Sequence, residues 1–343
     1  MGGTIPLIRA SALIPMLKWM SRRGRDTDAA LAAVDLAWYP WTDPMVPIPL
    51  LNTVEFLRNL GRSEGPDIPF RVVGDTGLFD LAMLARVALG TRTPRSALDR
   101  IAAAMPYHCS HEVFRIVEDQ GDCVISDAWP IRFDAEARHL IDQYLTAMLG
   151  VMFGLTRAGP AIRAKVSMVP HPQHGFRHLA PYEDRFVFRE TAGPVEIRIA
   201  LRDANAGFRA VARDRMRGID VTNWAPLAGD GSLSHSVQVV LPGLLAHGAP
   251  GIDRIAGYAG MSRRSFQRRL VGEGARYSDL LDALRMEMLQ RLSEEPDLSL
   301  GEISARLGYA RQSTLSRAAR RCIGQTPSEA RLRSKPVSGP SAR

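Results

Sequence analysis

The stretch GYAGMSRRSFQRRL (257–270) decides how the last third of this chain is read. Residues 262–270 hold four arginines in nine positions, set around Phe266 and Leu270, four residues apart. Taken alone, such a helix is as compatible with a solvated charged face as with a surface that presses against a polyanion. A second, degenerate copy separates the two readings. IDRIAGYAGMSRRSFQRRLVGEG (252–274) and LGEISARLGYARQSTLSRAARRCIG (300–324) align with Ile255 on Ile303, Ala256 on Ser304, Ala259 on Leu307 and Gly260 on Gly308, an offset of 48. One extra residue then shifts the offset to 49, which places Phe266 on Leu315 and Arg268 on Arg317. Each copy is a short helix, a glycine turn, and a second helix rich in Arg, Gln, Ser and Thr. That is the helix-turn-helix layout, whose second helix enters the major groove of DNA.

The distribution of charge agrees. The chain carries a net charge of +8, and residues 251–335 hold sixteen Lys/Arg against ten Asp/Glu, whereas residues 1–250 hold 27 against 26. A near-neutral body with a basic end points to an anionic partner for that end, double-stranded DNA in preference to a membrane surface. The basic residues interleave with glycine turns and do not line one long amphipathic helix. The 343 residues suffice for two domains, each with its own core. The apolar runs are far shorter than the ~20 residues of a membrane span. No signal-peptide pattern is present, and three cysteines (Cys109, Cys123, Cys322) rule out a disulfide framework and suit a reducing compartment, so a cytoplasmic protein is expected.

Hydrophobic periodicity predicts an α+β chain. LIRASALIPMLKWM (7–20) reads as an amphipathic helix, and residues 1–60 as helices broken by the proline-rich loop WYPWTDPMVPIP (38–49). LFDLAMLARVAL and ALDRIAAAM have helical spacing within 72–105, joined by TRTP (91–94). EVFRIVEDQGDCVISDAW (112–129) reads as two short strands around a Gly-Asp turn, ARHLIDQYLTAMLGVMF (137–153) as a helix, and IRAKVSMV, RFVFRE and VEIRIAL within 162–201 as strands of a mixed or antiparallel sheet. The expected organisation is an N-terminal α/β sensor and dimerisation domain over 1–225, a linker over 226–235, an all-α domain with two helix-turn-helix motifs over 236–333, and a disordered Pro/Ser/Gly-rich tail over 334–343. SDLLDALRMEMLQRL (278–292), with apolar residues at 280, 281, 284, 288 and 292, links the two motifs. At about 1.5 Å per residue it spans ~22 Å, a spacer for two readers in major grooves ~34 Å apart.

Helical geometry assigns roles. At ~100° per residue, positions 264 and 268 point away from Phe266, the residue expected to hold the helix in its core together with Leu270. Arg264 and Arg268, with Gln267 beside them, are therefore the candidates for base edges; Arg suits guanine and Gln suits adenine. Arg263 and Arg269 lie on the flanks and are candidates for phosphate. In the second copy Leu315 takes the anchoring place, Gln312, Ser313, Ser316 and Arg317 form the groove face, and Arg320 and Arg321 are the phosphate candidates.

These residues resemble the AraC/XylS family of bacterial transcription regulators over roughly 236–333. GYAGMSRRSFQRRL is similar to the family's first motif. LSLGEISARLGYARQSTLSRA, followed by RRCIGQTPSEAR and its Gly324…Pro327 end, is similar to the second motif and C-terminal signature. The chain departs from the family at Ala319 and Cys322, where aromatic residues are usual, and at Ala330, often Tyr. Lost bulk in so small a core costs a few kcal/mol unless neighbours refill it. The N-terminal part resembles the arabinose-binding-like domain of the ornithine-utilisation-regulator branch through IPLLNTVEFLRNLG (48–61), DTGLFDLAMLARVALGTRTPRSALDRI (75–101) and the 160–189 stretch ending in APYEDRFVFRE. The resemblance implies a DNA-binding regulator, more often an activator, that works with RNA polymerase, senses an unidentified small-molecule effector and forms a homodimer.

Other constellations carry less. His108, Cys109 and His111, and separately His171, His174 and His178, lack the paired spacing of a structural zinc site, so no metal and no cofactor are expected. Cys109 and Cys123 read as inert buried thiols. GDTG (74–77) is too short for a phosphate loop, and neither G-x-S-x-G nor HExxH occurs, so no enzyme is expected. Trp38, Tyr39 and Trp41 read as a loop packed on a core. Two alternatives stay open at this point. One is an enzyme fused to the DNA-binding module, for which three scattered cysteines supply no DNA-repair methyltransferase centre. The other is a regulator whose first domain only dimerises.

Overall fold

Alternating apolar residues between 112 and 201 build the framework of the first domain. The computed structural model describes residues 3–39, 43–75, 87, 88, 90–157, 159–209, 225–245, 247–295 and 297–329. The helix expected over 78–89 lies almost wholly outside them, as do Trp41, Ala330 and the tail 334–343. The described chain divides into two units, one within residues 6–229 and one that joins residues 3–5 to 230–329.

In the first unit, strands β1 (Leu7–Arg9) and β2 (Pro47–Pro49) pair with each other. Strands β3 (Val113–Asp119), β4 (Asp122–Ala128), β5 (Ala164–Met168), β6 (Phe186–Glu190) and β7 (Val195–Ala200) form a mixed sheet in the order β3-β4-β7-β5-β6. Only β5 and β6 run parallel. Gln120 and Gly121, both at positive φ, close the β3–β4 hairpin, one residue earlier than the expected Gly-Asp turn. The register stacks Ile116, Ile125, Ile197 and Val166 across four strands, and the last three are fully buried. Period-2 side chains on one face thus become one continuous core row.

The longer described helices of this unit are α1 (Ile14–Arg22), α2 (Thr27–Ala32), α3 (Leu50–Glu64), α4 (Ile68–Asp75), α5 (Pro94–His108) and α6 (Ala135–Gly154). Asp134 caps α6 by accepting from Ala137 N at 2.9 Å, and Thr93 caps α5 ahead of Pro94, which fits the first helical turn. Helix α6 packs against α3, α4 and β5. The reading of residues 7–20 as one helix needs correction. Leu7–Arg9 is a strand and Ala10–Ala12 a single 3-10 turn, and the helix begins only at Ile14, with Pro15 in its first turn. The cause lies outside the stretch, in the main chain of Pro47–Pro49, which offers Leu7–Arg9 a pairing partner. Trp38 and Tyr39 are buried, as are Cys109 and Cys123, which are free thiols.

The second unit is helical: α7 (Leu233–Leu245), α8 (Ile252–Tyr258), α9 (Arg263–Gly272), α10 (Tyr277–Ser293), α11 (Leu300–Arg306) and α12 (Gln312–Ile323). Val237, Val240, Leu241 and Leu244 of α7 are fully buried, and Ile5 joins them, its N–H donating to Ser236 Oγ at 3.0 Å. Helix α10 differs from the expected apolar stripe. It buries Leu280, Leu281, Arg285, Met286 and Leu289, while Leu284, Met288 and Leu292 are half-buried. The helix packs against both α7 and α12, so its buried surface is wider than a single seam.

Candidate nucleic-acid interface

Both repeats end their first helix in the same way. Gly260 and Gly308 sit in the left-handed region at φ 63° and 70°. In the first copy Met261 N donates to Ala256 O at 2.9 Å, and in the second Tyr309 N donates to Ser304 O at 2.9 Å. These are equivalent six-to-one bonds of a glycine-closed helix end, at the 48-residue offset of the sequence repeat. The second helices then start from different devices. Ser262 caps α9 by accepting from Ser265 N, whereas Arg311 precedes α12 without a side-chain cap.

The anchoring residues are where the periodicity puts them. Phe266 is fully buried and meets the Tyr277 ring edge-on at 6.4 Å, Leu270 is buried one turn later, and Leu315 is fully buried in the second copy. Around Leu315, Ala318 and Ala319 pack with Met286, Leu289, Ile303 and Leu307, and Met288, Leu292 and Tyr309 close the cluster. Long side chains from α10 thus fill the room left at Ala319. Cys322 is exposed, so a small residue there leaves no hole in the core.

The outward side chains fall into two sets. Arg264, Gln267 and Arg268 on α9, and Gln312, Ser313, Arg317 and Arg320 on α12, are exposed and make no side-chain hydrogen bond or ion pair among the described residues. Arg263, Arg269 and Arg321 are instead engaged inside the unit. Arg263 lies 3.4 Å from Asp253, Arg269 lies 3.3 Å from Glu273, and Arg321 bonds Asp282 of α10. Burial alone would raise the Glu273 carboxyl. The N–H groups of Leu233 and Ser234, at 3.0 and 2.8 Å, together with Arg269, outweigh it and hold Glu273 below the usual carboxylate range. Ser316, placed with the groove face by helical angle, is half-buried because it borders the seam that Leu315 and Ala319 occupy.

A family model described as the arabinose-binding domain of AraC transcription regulator, N-terminal, matches residues 24–204, more than half of the chain. A helix-turn-helix domain model matches residues 255–333. The chain belongs to the AraC family of transcription regulators. This AraC-family chain is 32% identical over 177 residues to the HTH-type transcriptional regulator VirS of Mycobacterium tuberculosis, covering 50% of this chain and 51% of that one. It is 28% identical over 141 residues to the regulator VqsM of Pseudomonas aeruginosa, covering 41% and 39%. The chain spans about half the length of the curated relatives it matches. The crystal structure of the transcriptional regulator CdpR from Pseudomonas aeruginosa aligns over 92% of this chain and 98% of that chain, at 18% identity and a TM-score of 0.41. No described helix is long and apolar enough to cross a membrane.

One residue of this AraC-family chain gave no signal in the sequence. Arg285, in the middle of α10, is only 9% exposed. Its Nε donates to Leu307 O at 3.0 Å, its guanidinium lies 4.2 Å from the centre of the Tyr309 ring, and Asp282 is 3.6 Å away. It ties the linking helix to the turn of the second motif. The surplus of arginine in this region hid it, because the arginines before and after it, Arg276 and Arg291, are exposed.

Proposed function

We propose that this regulator binds promoter DNA through both motifs. Arg264, Gln267 and Arg268 read one half-site and Gln312, Ser313 and Arg317 another, with Ser316 at the edge of the second face. Arg263, Arg269, Arg320 and Arg321 contact phosphate. The supporting observation is that two equivalent glycine-closed turns present helices whose inner residues are buried and whose outer Arg and Gln side chains are unengaged. In this reading residues 236–333 form the DNA-binding domain, and residues 1–225 sense a small effector and dimerise. The regulator acts with RNA polymerase, as an activator. An effector alters regulation only through a difference in affinity between DNA-competent and incompetent states.

Footprinting of the full chain on genomic fragments tests the reading. Two protected half-sites about one helical turn apart are the expected result. Protection of a single half-site overturns the two-reader arrangement, and binding without sequence preference overturns the regulator reading as a whole.

The ion pairs grade the phosphate contacts. Arg320→Ala is expected to lower the slope of log K against log salt by ~1, with equal loss on cognate and shuffled duplexes. Arg321→Ala lowers it less, because its guanidinium is already shared with Asp282. Titrations between about 50 and 200 mM salt measure both slopes; equal slopes for the two variants would contradict the grading.

A further inference from the structure

The first unit holds a cavity of about 110 Å³ between α1, α3, α6 and the end of β4. Its walls are mostly apolar, with Met16, Leu57, Leu145 and Met148 among them, and one part is polar, where His108, Glu112, Asp127, Trp129 and Tyr144 converge. Its size is of the order that accommodates a single ring or a short alkyl chain.

The polar groups there are incompletely satisfied. Asp127 is 1% exposed and its Oδ1 has no hydrogen-bond partner among the described residues. The same holds for Trp129 Nε1, the Tyr144 hydroxyl and His108 Nδ1. The Trp129 N–H lies beside Asp127 and meets it only in part, so poorly satisfied buried polar atoms around one cavity remain a costly arrangement unless something enters to meet them. The neighbouring Cys109 thiol holds the Glu112 carboxyl down against the larger upward push of burial.

The charges around the cavity favour one kind of visitor. Burial, then the proximity of Glu112 and Asp142, pushes the Asp127 carboxyl up, and Arg138 and the Trp129 N–H offset only part of this. Burial likewise raises Glu112. His108 does not balance them, because burial and the neighbouring Arg9 push it down to about 4 and leave it neutral at pH 7. Arg9 itself is held by the carbonyls of Tyr107, Met45 and Ala225 at 3.0, 2.7 and 3.1 Å. Among the described residues, no lysine or arginine lines the cavity.

We propose that this cavity is the effector site and that it takes a small organic cation, an alkyl- or arylammonium. Its N–H groups would meet Asp127, Glu112 and Tyr144, and its apolar body the walls of α3 and α6. The proposal rests on the effector reading above and narrows it to a chemical class. A carboxylate ligand would bring a third acid to Asp127 and Glu112, and no lysine or arginine among the described residues lines the cavity to receive it. A neutral ligand could hydrogen-bond, but would leave the two carboxyls to repel each other or to take up protons. An ammonium group supplies the missing charge and donates to acceptors already in place.

The test uses the full chain near pH 8 and three probes of matched shape: benzylamine, benzyl alcohol and benzoate. Calorimetry gives the affinities and a thermal shift the stabilisation. The amine is expected to bind at least ~10-fold more tightly than the alcohol, and benzoate more weakly than either. Asp127→Asn should erase the amine preference while keeping the alcohol's affinity, which also reports that the variant is folded. Equal binding of amine and alcohol, tighter binding of benzoate, or no binding by any probe overturns the cation site. DNA affinity is measured in parallel. Amine binding that leaves it unchanged upholds the site and overturns the effector reading instead.

Discussion

Alanine at both Arg264 and Arg268 is expected to abolish half-site selection by the first motif while leaving the fold intact. Phe266 and Leu270 hold α9 in place, and Ser262 caps it, so the helix does not depend on the two arginines. Both guanidiniums are exposed and make no ion pair among the described residues, so their loss removes no internal interaction. Stability should therefore change by no more than about 0.5 kcal/mol, as at an ordinary surface position. In the proposed docking the same two side chains point away from the anchor toward the groove. A bidentate arginine–guanine pair contributes ~1–3 kcal/mol of discrimination, so the double variant stands to lose roughly 2–6 kcal/mol between cognate and shuffled sites. Competition binding against both duplexes measures this directly. Equal losses on the two duplexes would assign these arginines to phosphate and return the base-reading role to other residues.

Gly308→Ala should unfold or severely loosen the second motif, whereas Gly260→Ala at the equivalent turn should be far milder. Both glycines occupy the left-handed region, where a Cβ costs about 1–2 kcal/mol. Their surroundings differ. A Cβ on Gly260 meets nothing within 4 Å. A Cβ on Gly308 would lie 2.7 Å from Ala249 N and 3.3 Å from Gly248 C. These are backbone atoms and cannot swing aside as a side-chain end would, so the chain must shift, adding ~1–3 kcal/mol of overpacking. The expected total is ~2–5 kcal/mol for Gly308→Ala against ~1–2 kcal/mol for Gly260→Ala, read as urea midpoints. A loss of that size is a large share of the stability of a small domain. Similar midpoints for the two variants would mean that the 248–249 backbone moves freely away from the second turn.

Much of the DNA-facing unit was legible because its signals are local. The glycine turn, the 48-residue offset and the spacing of Phe266, Leu270 and Leu315 each depend on helical periodicity alone, and the burial of these side chains follows it. The phosphate candidates show where local reading stops. Arg263, Arg269, Arg320 and Arg321 look alike in sequence, yet among the described residues three are tied to carboxylates within the unit and Arg320 is not. Which carboxylate meets which arginine depends on partners as distant as Asp282, 39 positions from Arg321. Ser316 differs from the expectation for a related reason. An angle about one helix places it outward, whereas the seam with α10 half-covers it.

The sequence by itself determined the elements whose signal lies within one turn or one strand: the repeated motifs, the hairpin over 112–129, the long helix read over 137–153, and the arginines that stay in water. Only the tertiary structure decided which segments become partners. It turned Leu7–Arg9 from helix to strand by supplying Pro47–Pro49, filled the gap at Ala319 with methionines from α10, and buried Arg285 beneath the second turn. It also gathered His108, Glu112, Asp127, Trp129 and Tyr144 from three separate stretches around one cavity. Periodicity reports which face of an element is covered, and it carries no information about what covers it. Charge compensation and cavity lining are properties of pairs of surfaces, so they exist only once the chain has brought those surfaces together.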